Sequence, residues 1–368
     1  MGFLQGKTAI ITGAGRAVLS DGRCGSIGYG IATAYAKEGA NLVITGRNTK
    51  KLDDAKEELE RLYGIRVLTV QADVNAGADN EAVVASVVKQ TIDTFGSIDV
   101  LINNAQASAS GVPLSEHTTD QFNLALYSGL YAAFYYMKAC YPYLARAKGT
   151  VINFASGAGL FGNFGQCAYA AAKEGIRGLT RVAATEWAKD GINVNIICPL
   201  AWTAQLEQFE QAYPDAFKAN VKMPPAGHYG DSELEIGRVC VQLASPDFKY
   251  LTGETLTLEG GMGLRPERMY QRKGLLQNSV ILQYMDVIPR ISIPYIVYTP
   301  FCNSPLCIVK ERIHDQNQGY RGACRSEPDD CLECASRESR ARLERKRKKD
   351  QTDYGRDALH PQHQRTAA

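Results

Sequence analysis

Tyr169 and Lys173 stand four residues apart in the run Tyr169-Ala170-Ala171-Ala172-Lys173, the spacing that stacks two side chains on one helical face. An ammonium beside a phenol stabilises the phenolate and draws the tyrosine from its ordinary value of about 10 toward the range of a working acid or base. Pairs of this kind are common by chance and usually lie on surfaces. Ser156 makes this one specific, because it leaves the apolar run Thr150–Ser156 thirteen residues before Tyr169. A hydroxyl arriving from a strand end can hydrogen-bond a substrate oxygen while the tyrosine exchanges a proton with it. The expected chemistry is proton transfer at a carbonyl or alcohol oxygen.

A second constellation lies near the N-terminus. Thr12-Gly13-Ala14-Gly15 follows the first apolar run, and Ser26-Ile27-Gly28-Tyr29-Gly30 then opens a helical stretch. Glycines let backbone approach a pyrophosphate, and the N–H groups and dipole of a helix N-terminus stabilise its charge. Gly13, Gly15, Ser26, Ile27 and Gly28 are therefore candidate cofactor contacts. The second strand ends Thr45-Gly46-Arg47, where an NAD-binding domain would carry an acidic side chain for the ribose. Arg47 instead presents a bidentate cation suited to a 2′-phosphate. NADP(H) is the preferred cofactor on this reading, and NAD(H) the alternative. Arg16 and Arg23 could add to the same anion site or face water. Asp73, followed by Val74, suits the adenine amine; Asn103 and Ala105, flanking Asn104, suit the adenosine ribose. Both groups could equally be strand-end caps.

These residues need a frame to bring them together. Runs of about five apolar residues recur at 8–12, 41–45, 66–73, 99–103, 150–156, 193–198 and 255–260, separated by amphipathic stretches at 31–37, 52–62, 81–95 and 175–189. Short, almost continuously apolar strands alternating with helices predict an α/β domain of the Rossmann type, a doubly wound parallel sheet. Ligands of such sheets lie beyond the carboxyl ends of the strands, where each candidate above falls.

The chain has 368 residues, 45% of them hydrophobic, with a net charge of +2. The first 266 residues are slightly acidic and the last hundred basic, so the main domain offers no electrostatic case for nucleic acid. No apolar run is long enough to span a membrane, and no leader pattern opens the chain; the reading is cytoplasmic. Cys24, Cys140, Cys167, Cys198 and Cys240 are scattered, as buried free thiols usually are.

Taken as a set, the motifs resemble the short-chain dehydrogenase/reductase family in its form of about 250 residues. The resemblance covers residues 3–266 and includes Leu251-Thr252-Gly253-Glu254 and the closing Glu259-Gly260-Gly261. It implies that Tyr169 is the acid/base, that Lys173 also binds the nicotinamide ribose, and that Ser156 orients substrate. It implies further that Thr203, after Cys198-Pro199, contacts the nicotinamide carboxamide, with Pro199 beside it. Four departures stand out. The glycine loop is long, and its Ser26–Gly30 end is similar to that of enoyl-acyl-carrier-protein reductases, which space Tyr and Lys more widely. Gln106 replaces the Gly of Asn-Asn-Ala-Gly and would reach toward substrate. Leu200 replaces the Gly after Pro199. Gly129, preceded by Ser128, stands where the family carries the Asn of its proton relay.

Residues flanking the expected site, Ser108, Leu160, Phe161, Phe164, Trp202, Phe209 and Tyr213, are mostly apolar and aromatic. They favour a hydrophobic ketone or secondary alcohol, with Phe161, Phe164 and Trp202 as contacts; the alternatives are a 3-oxoacyl thioester or a non-catalytic NADP(H) sensor. Residues 203–229, holding Pro214, Pro224, Pro225 and Gly227, read as a mobile lid over substrate. Apolar faces at 127–144 and 175–189 point to a homodimer or homotetramer. Residues 267–368 read as a disordered tail: the charged run 337–349 has few apolar neighbours. Cys324, Cys331, Cys334 and His314 lack the second ligand pair of a zinc site, and no metal is expected.

Overall fold

A computed structural model of the chain describes residues 2–75 and 77–263. The expected boundary at 266, the basic tail and the Cys324–Cys334 group lie outside these residues. The seven apolar runs form seven strands, β1 (Thr8–Thr12), β2 (Asn41–Gly46), β3 (Val67–Gln71), β4 (Val100–Asn103), β5 (Thr150–Phe154), β6 (Asn193–Pro199) and β7 (Thr255–Leu258). They pair in parallel in the order β3-β2-β1-β4-β5-β6-β7. The doubly wound Rossmann-type sheet expected from the alternation is therefore present. Strands β3, β5 and β7 stop short of Asp73, Ser156 and Gly260, which leave the ladder on the ligand side.

Residue-by-residue alternation along the strands sorts side chains into two cores. Ile11, Leu42, Ile44, Ile102 and Ile152 face α1 (Ile27–Lys37), α2 (Thr49–Tyr63) and Cys240 beyond them. Ile10, Val43, Leu101, Val151 and Val194 face α3 (Asn80–Phe95) and the later half of the helix that follows β4. Both sets are almost wholly buried, as strands covered on two faces must be.

The helix after β4 is not continuous. It runs as α4 (Thr119–Ala125), a π-helical stretch Leu126–Tyr131, and α5 (Ala132–Ala147). Beyond β5 come α6 (Gly157–Phe161) and the long α7 (Cys167–Trp187). The π stretch packs against α7; Leu130 lies so close to Gly175 that a Cβ there would meet its Cδ2 at 2.7 Å.

Residues 203–229, read above as a lid loop, are largely helical. They hold α8 (Ala204–Ala212), capped by the Thr203 hydroxyl, and α9 (Pro214–Asn220), with its proline in the first turn, where a missing N–H costs nothing. Neither helix has a fully buried residue. A last helix, α10 (Arg238–Leu243), follows a second π stretch at Ser232–Gly237, which crosses α1 where Gly30 meets the Ser232 carbonyl.

Candidate active site

Strand order reverses between β1 and β4, and the crevice of such a sheet opens at that point. At the end of β1, Gly13 turns with φ +73° and donates its N–H to the Thr45 carbonyl at 2.8 Å. Gly28, in the first turn of α1, lies directly against it; a Cβ there would stand 2.2 Å from the Gly13 oxygen and 2.7 Å from Asn104 Nδ2. The helix N-terminus is thereby held against the turn, with Ser26 capping the Tyr29 N–H. Thr12 was not singled out from sequence, yet its Oγ1 accepts from both Asn104 and Ala105 N–H at 3.0 Å and so ties the ends of β1 and β4. A threonine ending a buried strand next to a glycine turn was the available signal.

One groove collects Gly13, Arg47, Asp73, Val74 and Ala105 of the expected cofactor set, together with Gly46, Asn104 and Gln106, which was expected toward substrate. Asp73 accepts from the Asn75 N–H at 3.0 Å, so it also makes a local turn. Among the described residues Arg47 makes no ion pair, whereas Arg16 bonds Glu58 at 2.6 Å and Arg23 bonds Asp21 and Asp231. Gly15 lies beside Lys51. Asn103 points inward, donating to Asn153 Oδ1 at 2.8 Å, and is buried. The glycine turn and the capped helix fit the pyrophosphate of a dinucleotide: the cradle is too tight for side chains and a helix N-terminus suits an anion.

At the ends of β5 and α7 the second constellation assembles. Ser156 caps α6, accepting from the Ala158 N–H at 3.1 Å. The Lys173 ammonium lies 5.4 Å from the centre of the Tyr169 ring and donates to the Phe154 carbonyl at 2.7 Å. Burial pulls the Lys173 amine down to about 7, because its charge is taken out of water. Burial raises the Tyr169 phenol, and the Ser156 hydroxyl partly offsets that. This differs from the depressed phenol expected of a Tyr-x-x-x-Lys pair. The lysine, aimed at a backbone carbonyl and itself disfavoured as a cation, does not counter the loss of water around the tyrosine.

A second cleft of about 620 Å³ opens beyond β6, lined by Leu200, Ala201, Thr203, Leu206, Phe209 and Tyr229 and by the amides Asn163, Gln166, Gln205 and Asn220. Pro199 ends β6 next to it. Trp202 packs edge-on against Phe217 and Tyr229, with centroids 6.0 and 5.9 Å apart. Phe161 is half-exposed and Phe164 stands 81% exposed; neither lines either cleft described here. The four amides went unnoticed in the sequence, since nothing local distinguishes them from surface residues.

A family profile described as enoyl-(acyl carrier protein) reductase matches residues 22–263. The chain is a short-chain dehydrogenase/reductase. A relative from a Clostridium species, 12alpha-hydroxysteroid dehydrogenase, is 68% identical over 266 residues, 72% of this chain and the whole of that protein. A 3-oxoacyl-[acyl-carrier-protein] reductase of Staphylococcus aureus is 32% identical, covering 70% of this chain and 98% of its own. Among solved structures, L-sorbose reductase of Gluconobacter frateurii, complexed with NADPH and L-sorbose, superposes with a TM-score of 0.63 at 27% identity, covering 71% and 98%. This dehydrogenase/reductase is an oxidoreductase acting on CH–OH groups, and it binds a nicotinamide cofactor. Among its described residues no helix is long and apolar enough to cross a membrane.

Proposed function

We propose that the protein interconverts a 12-oxo steroid and its 12α-alcohol, with NADP(H) the preferred cofactor and Tyr169 the acid and base at the reacting oxygen. What supports this reading is the Lys173 ammonium against the Tyr169 ring, with Ser156 hydrogen-bonding the phenol, in a protein 68% identical to a 12alpha-hydroxysteroid dehydrogenase along that relative's entire length. A bound nicotinamide supplies or takes the hydride. In the reducing direction Tyr169 gives its proton to the ketone oxygen as hydride reaches the carbon, and Ser156 holds that oxygen by a hydrogen bond. A phenol raised by burial stays protonated at neutral pH, the form reduction requires. Lys173, with an amine near neutrality, is poised to pass a proton toward the phenolate.

Gly13, Gly15, Ser26, Ile27 and Gly28 cradle the pyrophosphate on this account, and Arg47 takes the 2′-phosphate. Asp73, Val74, Asn103 and Ala105 border the adenosine, with Pro199 and Thr203 at the nicotinamide. The apolar face of the cleft beyond β6, with Leu206, Phe209 and Tyr229, suits a rigid hydrophobic body, and Trp202 backs it through its contact with Tyr229. The working unit on this account is residues 1–266, a length that matches the 266 residues over which the hydroxysteroid relative aligns in full. It acts in the cytoplasm as a homodimer or homotetramer, a reading supported by the exposed Tyr131, Phe134 and Val182 on the helices after β4 and β5; size-exclusion chromatography at a monomer position would defeat the oligomer.

Loss of NADPH absorbance with a 12-oxo bile acid tests the reading, with an acetoacetyl thioester and L-sorbose as rival substrates. Turnover of the steroid at least tenfold above the rivals is expected, about 1.4 kcal/mol in kcat/KM. Preference for the thioester would overturn the substrate class, and NADPH binding without any turnover would make the protein a sensor.

A further inference from the structure

The face that α7 turns to the sheet is polar where a helix on a sheet is ordinarily apolar. Lys173, Arg177 and Thr180 recur there at helical spacing and all three are buried. The Arg177 side chain is only 4% exposed although it carries a full charge. Its guanidinium ties α7 to two strands. It donates to both carboxylate oxygens of Glu174 at 3.0 to 3.2 Å, to Thr255 Oγ1 on β7 at 2.7 Å, and to Cys198 Sγ on β6 at 3.5 Å. Glu259, just past the end of β7, is buried; burial raises its carboxyl and the Arg177 charge opposes that rise.

Both carboxylates lie against α6, the short helix that Ser156 caps. A Cβ on Gly157 would stand 2.8 Å from Glu259 Oε1, and one on Gly159 would stand 2.5 Å from Glu174 Oε1. Gly157-Ala158-Gly159 therefore leaves room for charged oxygens, and α6 rests on them. The Ser156 hydroxyl at the head of that helix also hydrogen-bonds the Tyr169 phenol. Resting on the Ser156 and Tyr169 roles given above, we propose that Arg177 is a positioning residue for the reaction: it fixes Glu174 and Glu259 as a charged shelf under α6, and the shelf sets the Ser156 hydroxyl against Tyr169. Without the guanidinium the two carboxylates are left uncompensated, one of them buried, which a protein interior tolerates poorly. They then move toward water, and α6 moves with them. A displacement of about 1 Å in a group that orients substrate can cost up to about a hundredfold in rate. Arg177 touches no substrate in this scheme and exchanges no proton.

Arg177→Leu, Glu259→Gln and the double variant test the shelf against wild type. Arg177→Leu should lower kcat roughly tenfold to a hundredfold at pH 8, with NADPH affinity by fluorescence within about twofold. Its Tm should fall as well. Glu259→Gln alone should cost about threefold or less, and the double variant should regain most of the kcat and Tm that Arg177→Leu loses, because no buried charge is left unpaired. The groups around Glu259 are Arg177 and Glu174 from α7 and Cys198 from β6. As pH falls, Glu259 in Arg177→Leu takes up a proton and loses its charge. The kcat defect relative to wild type should therefore shrink from about pH 8 toward about pH 5.5, and be flat with pH in the double variant; a loss of packing alone would not move with pH. A kcat for Arg177→Leu within about twofold of wild type, or losses in kcat and Tm that simply add in the double variant, would overturn the proposal. Should Arg177→Leu not fold, Arg177→Lys decides: it keeps the charge without the fork, so a kcat lowered about threefold or more at intact NADPH affinity is expected, and wild-type kcat would overturn the shelf. The Tm coupling needs no turnover, and the kinetic arms use whichever carbonyl the wild type reduces best. Failure on the 12-oxo steroid thus counts against the substrate assignment and leaves the cycle readable.

Discussion

The two ends of the crevice are built by different means. The proposed cofactor end is built from backbone: Gly13 and Gly28 in contact, a capped helix terminus, and two strands joined through the Thr12 hydroxyl, all next to fully buried core. At the proposed substrate end the cleft is bounded by side chains carried by α8 and α9, which have no fully buried residue and are punctuated by Pro214. Backbone packed against a core has one geometry, and so one class of ligand. Aromatics on shallow helices can be exchanged without disturbing the sheet, which is how one fold serves different alcohols.

The comparison breaks most visibly at Gly28. Gly28→Val puts its branched side chain into the Gly13 carbonyl, and NADPH affinity should fall by roughly a hundredfold or more, a geometric loss of about 3 kcal/mol. Fluorescence titration with NADPH checks it; near-normal affinity would mean that the cradle is not where the pyrophosphate lies. Next, Arg47→Ala should weaken NADPH by about tenfold to fiftyfold and leave NADH within about twofold, the loss of one charge-assisted contact. Equal affinities for the two cofactors in wild type would remove Arg47 from the account.

At the other end, Trp202→Ala removes the ring packed on Phe217 and Tyr229. KM for the steroid should rise about fivefold to tenfold while NADPH affinity holds. A change in cofactor affinity of similar size would show that the two ends are not independent.

The smallest effect concerns stability and pH. Lys173 titrates near 7 in the folded protein and at 10.5 in its unperturbed state, so between these values the unfolded chain binds the extra proton. Stability contributed by this site therefore rises with pH across that window and is lost as pH falls toward 7. The Tm advantage of Lys173→Met over wild type should be greatest near pH 6 and shrink by pH 9. Melts at the two pH values measure it, and a difference that grows with pH would place the ammonium in a favourable setting instead.

The same contrast explains what could be read before the fold was known. Strand positions, the parallel sheet, and the arrival of Arg47, Asp73 and Ala105 at one groove followed from short apolar runs and glycines, because those features encode backbone geometry locally. Lys173 was legible by spacing, but its bond to the Phe154 carbonyl, and with it the failure to depress Tyr169, depends on a strand nineteen residues earlier. Residues 203–229 read as loop on the strength of Pro214, Pro224, Pro225 and Gly227, although Pro214 begins a helix rather than ending one. Gly129 read as a missing group, since the carboxamide filling its place comes from Gln106 on another element. Contacts made across elements leave no periodic trace.

The central claim is that Tyr169 moves the proton at the substrate oxygen. Tyr169→Phe keeps the ring against Lys173 and removes only the hydroxyl, so steady-state reduction of the preferred carbonyl should fall by roughly a thousandfold or more, with NADPH binding by fluorescence unchanged. Turnover within tenfold of wild type, at intact cofactor binding, would contradict the mechanism.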